Sequence, residues 1–172
     1  MKPMRLPFLK PAASSEPLIL AMSGLRLGDA MVFAGRSAAH LLPLAGRTGL
    51  SGRSVIVGAP EVTGPLETAA TREGVLVETS PVAPADRSFD LAVVEAVGDW
   101  AAATATMKSA VRAGGRVLVV AGELRSGLLA RLSPRPSPVP GGDIIDMLTR
   151  GGWSRARVIG ERDGLLFVEA FA

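Results

Sequence analysis

Cysteine and tyrosine are absent from this 172-residue chain, and histidine occurs once, as His40. Without cysteine there can be neither a disulfide nor a thiolate metal site, and the redox state of the compartment leaves no mark. A single imidazole excludes a multi-histidine metal centre within one chain, so no metal is expected. Lysine stands only at positions 2, 10 and 108, so the pI of about 10.2 rests on arginine. Those arginines are scattered and the net charge is only +3, which gives no nucleic-acid footprint. No apolar run approaches the ~20 residues of a spanning helix, so no membrane partner is expected. Lys2, Arg5 and Lys10 hint at a signal peptide, but Pro3, Pro7 and Pro11 interrupt it and residues 17–22 are too short an apolar core. A soluble cytoplasmic protein is the expectation.

What is present describes one domain, residues 1–172, long enough to bury a substantial core. Residues 1–23 read as an N-terminal arm and a short helix. Ser14 or Ser15 is the expected cap, with Glu16 and Pro17 in the first turn. Residues 24–29 (GLRLGD) form a turn into a first strand at 30–35 (AMVFAG). A helix is expected over 38–44, bent or ended by Pro43. Strands follow at 55–57, 75–77, 91–94 and 116–121, with helices over 61–73 and 100–111 between them. Continuous β-branched runs suggest strands buried on both faces of a parallel sheet, and the βα alternation gives an α/β doubly wound fold. Four prolines stiffen residues 124–142, Asp143 caps a helix over 144–150, and Asp163-Gly164 joins the last two strands in a hairpin.

Taken in order, these pieces resemble the class I S-adenosylmethionine-dependent methyltransferases. Residues 52–58 (GRSVIVG) look like the family's second strand, and 86–94 (DRSFDLAVV) like the approach to its fourth. Residues 111–120 (VRAGGRVLVV) resemble its glycine-rich turn and fifth strand, and 147–153 (MLTRGGW) the helix and turn before the sixth. The resemblance covers roughly 24–172. It implies a doubly wound, mostly parallel seven-stranded sheet, Rossmann-like, with a C-terminal antiparallel hairpin.

The resemblance also implies where a cofactor would lie, and there the chain departs from the pattern. Of the family's three alternate loop glycines only Gly35 remains; Ser37 and Ala39 hold the later positions, and Arg36 adds a long side chain. The second strand ends in Gly58, followed by Ala59, where the family carries an acid that accepts from both ribose hydroxyls. Losing hydrogen bonds to a charged acceptor forfeits roughly 1.5–3 kcal/mol. Glu61 is better read as a first-turn acid than as its substitute. Ser80, beside Thr79 and Pro81, stands where an aspartate often meets the adenine amino group, and Phe33 replaces an acid within the first strand. Glu95, at the end of the fourth strand, could hold the cofactor's ammonium group or serve as a general base. Glu123 has the same ambiguity. Asp99 reads as a helix cap. His40 has no evident partner, so no catalytic residue is assigned.

Two readings follow. In the first, a methyltransferase-like domain has lost efficient S-adenosylmethionine binding and serves as a non-catalytic binding or assembly module. In the second, it is an active methyltransferase acting on a small molecule, since methyl transfer relies mainly on proximity and alignment. A third has the pocket rebuilt for a phosphate-bearing ligand held by Arg36. The partner is a small molecule or a protein, and homodimer formation is compatible with apolar sheet edges.

Overall fold

The computed structural model describes residues 17–95, 99–122, 141–162 and 164–172. Readings that fall on the arm 1–16, on Glu123 and the proline-rich 124–140, and on Asp163 lie outside the described residues. The strands are β1 (Ala30–Ala34), β2 (Arg53–Val57), β3 (Glu78–Ser80), β4 (Phe89–Glu95), β5 (Val111–Gly122), β6 (Ser154–Arg162) and β7 (Leu165–Phe171). They form one sheet in the order β3-β2-β1-β4-β5-β7-β6. The first five are parallel, and β7 runs antiparallel between β5 and β6. This is the expected class I methyltransferase-like sheet with its terminal hairpin.

The central strands carry apolar residues towards both faces because helices cover both. On one face Met31, Phe33, Ile56, Leu91, Val93 and Leu118 pack under α1 (Leu18–Ser23), α2 (Ala38–Thr48) and α3 (Pro60–Arg72). On the other, Val32, Val55, Ala92, Val94 and Val119 meet α4 (Trp100–Ala110) and α5 (Gly141–Arg150). No helix separates β3 from β4. Residues 81–88 make that crossing, and Ala83 is buried with the second cluster.

Several boundaries differ from the sequence reading. Pro17, rather than a serine, occupies the N-cap position of α1, and its side chain makes no cap bond. Pro43 does not end α2, which runs on to Thr48 because Leu41, Leu44, Ala45 and Thr48 are buried. The third strand lies at Glu78–Ser80 instead of 75–77. Val75 and Val77 pack against the first cluster just before it, so their apolar signal marks the approach to the strand. Asp143 lies in the first turn of α5 and is not its cap, since that helix begins at Gly141. Asp99 does cap α4, its side chain accepting from the Ala102 N–H at 2.9 Å.

The 86–94 segment resembling the family owes its wording to structure. Asp86 accepts from both the N–H and the hydroxyl of Ser88. Phe89 is buried, with the Arg53 guanidinium 5.1 Å from its ring centre. Asp90 Oδ2 accepts from the Ala30 N–H at 2.8 Å, and Oδ1 from Arg112 at 2.7 Å, tying the starts of β1, β4 and β5 together. Burial pushes the Asp90 carboxyl up, but the Ala30 and Arg112 hydrogen bonds outweigh it and hold the group below its usual range. A depressed carboxyl stabilises the fold above its unfolded value near 4 and loses that contribution as pH falls through the folded value. Asp90→Asn should therefore cost about 1–2 kcal/mol at pH 7. Denaturant midpoints should show a smaller gap between variant and parent at pH 3 than at pH 7; an unchanged gap would contradict this role.

Candidate functional site

Parallel doubly wound sheets place ligands at the carboxyl ends of their strands. Here the register pairs Ala34 of β1 with Val94 of β4, so the next residues, Gly35 and Glu95, emerge side by side. Glu95 is 2% exposed and turns towards the β1–α2 loop. Its Oε1 accepts from the N–H of Arg36 at 3.1 Å and of Ser37 at 2.6 Å. Its Oε2 is hydrogen-bonded to Nδ1 of His40, whose side chain is 8% exposed. Where the carboxylate is ionised it can only accept, and Nδ1 then supplies the proton of that bond.

This geometry gives Gly35 a reason of its own. A Cβ built on it would fall 2.6 Å from Oε1 and 2.7 Å from Cδ of Glu95, and closer still to Cγ. Contacts that short cannot be accommodated without displacing the buried side chain. Gly35 is thus needed by the protein's own carboxylate.

Glu95 binds the loop just ahead of α2. Ser37 is at the N-cap of α2, but its side chain makes no cap bond, and the first turn of α2 contains no acid. The helix N-terminus carries about half a positive charge, and its first N–H groups lack intrahelical acceptors. The carboxylate from β4 supplies acceptors to the loop at this end.

The remaining predicted positions sit otherwise. Gly58 follows β2 directly, and its N–H donates to the Ser80 carbonyl at 3.0 Å. Its φ of +155° is one that L side chains rarely adopt. An aspartate there would be strained by about 1 kcal/mol, which gives glycine at this position a backbone reason. The Ser80 hydroxyl donates to the Val82 carbonyl at 2.6 Å and serves its own loop. Ala39 and Ala59 are exposed on the first turn of α2 and at the N-cap of α3. Glu61 lies exposed in the first turn of α3, as expected. Arg36 is exposed.

The structure therefore gathers Gly35, Arg36, Ser37 and Glu95 into one cluster and joins Gly58 to Ser80 in another hydrogen-bonded pair. The residue missed from sequence was His40, which lacked a partner only because Glu95 lies 55 positions away. Among the described residues no group of three or more His, Asp or Glu side chains is arranged to hold a metal ion.

No family model matches this chain, and no curated protein matches it either. Solved structures do. A SAM-dependent methyltransferase from Aquifex aeolicus superposes with a TM-score of 0.70 at 18% identity, over 89% of this chain and 87% of that one. A SAM-dependent O-methyltransferase from Thermotoga maritima gives 0.67 at 15% identity, covering 90% of this chain and 63% of its own, longer length. The precorrin 8W decarboxylase of Methanobacterium thermoautotrophicum gives 0.60 at 19%, over 95% and 92%. At these identities the similarity is one of fold.

Proposed function

We propose that this chain is a methyltransferase-like protein that has lost efficient S-adenosylmethionine binding and serves as a non-catalytic binding or assembly module. The observation that carries the reading is the Glu95 carboxylate on the Arg36 and Ser37 N–H groups. In the family this chain resembles, that loop lets backbone approach the cofactor. Here a buried, bonded side chain fills the approach at Gly35.

Opening the loop would require Glu95 to leave two backbone donors and His40 without their acceptor. Each buried group left unsatisfied costs about 1–3 kcal/mol, more where charge is involved. A cofactor would have to offset that loss and the absent ribose acceptor at Gly58 together. The same geometry weakens the phosphate reading, since Arg36 remains but the loop's N–H groups are already engaged. In this proposal the partner is a protein or a small molecule, a second copy of the chain included, and the setting is the cytoplasm. No helix among the described residues is long and apolar enough to cross a membrane.

Calorimetric titration of S-adenosylmethionine and S-adenosylhomocysteine into the protein tests the reading. No binding heat is expected with either ligand at millimolar concentration. Micromolar binding would instead support an active small-molecule methyltransferase with a different cofactor grip.

A further inference from the structure

We draw no further inference here: the strongest candidate, the surface patch of exposed leucines Leu27, Leu50 and Leu76 just ahead of β1, β2 and β3, carries none because nothing in the structure shows what covers it.

Discussion

Glu95→Ala is expected to lower folding stability by about 3–5 kcal/mol, because each buried group left without its hydrogen-bond partner costs about 1–3 kcal/mol. The carboxylate accepts from Arg36, Ser37 and His40 at a position 2% exposed, so truncation strands three donors and leaves a void. For a chain of this size the loss corresponds to a fall in melting temperature of roughly 10 °C. Glu95→Gln should cost less, because its amide oxygen can still accept from the loop while its NH2 faces His40. Thermal and denaturant unfolding of the two variants beside the parent would check the order. Equal, small effects would mean that the Glu95 contacts contribute little to the fold.

The second large effect is at Gly35. A methyl group there meets the Glu95 side chain at distances no packed interior tolerates, and overpacking of this kind costs about 1–3 kcal/mol. The cause can be isolated with a double-mutant cycle. If Glu95 is what forbids a side chain at position 35, Gly35→Ala should cost far less in the Glu95→Ala background, where the new methyl enters vacated space. The coupling between the two sites should exceed about 1 kcal/mol. Additive losses would show that Gly35 is required for another reason, such as loop conformation.

Much of this architecture was legible in the chain. The apolar runs 30–35 and 91–94 read as parallel strands, and the structure has strands at Ala30–Ala34 and Phe89–Glu95 because helices leave neither face in water. The terminal hairpin followed from two apolar runs around a turn. Misreadings arose where tertiary burial overrode local preference. Pro43 stays inside α2 because four buried residues pin the helix around and beyond it. The third strand was set too early because Val75 and Val77 carry the apolar signal, while the edge strand itself reads Glu78, Thr79, Ser80.

The site was harder to read for a related reason. Sequence marked Gly35, Arg36, Ser37 and Glu95 one by one as cofactor positions, and the fold brings them together. It could not show that the last of them satisfies the others. His40 looked unpartnered because its acid is on another strand. A parallel register pairing Ala34 with Val94 would have suggested the meeting, but that register appears only when β1 and β4 are known to be neighbours. Gly58 likewise looked like a lost carboxylate, and its backbone conformation supplies a second reason for glycine.

Because His40 is the sole imidazole in the chain, its ring nitrogens can be followed by NMR without ambiguity. The decisive measurement is the tautomer of that ring as S-adenosylhomocysteine is added. Closure by Glu95 predicts a proton fixed on Nδ1 and a spectrum unchanged by the ligand. A proton on Nε2 with a free Nδ1, or a saturable shift of the ring signals as the ligand is titrated, would contradict it.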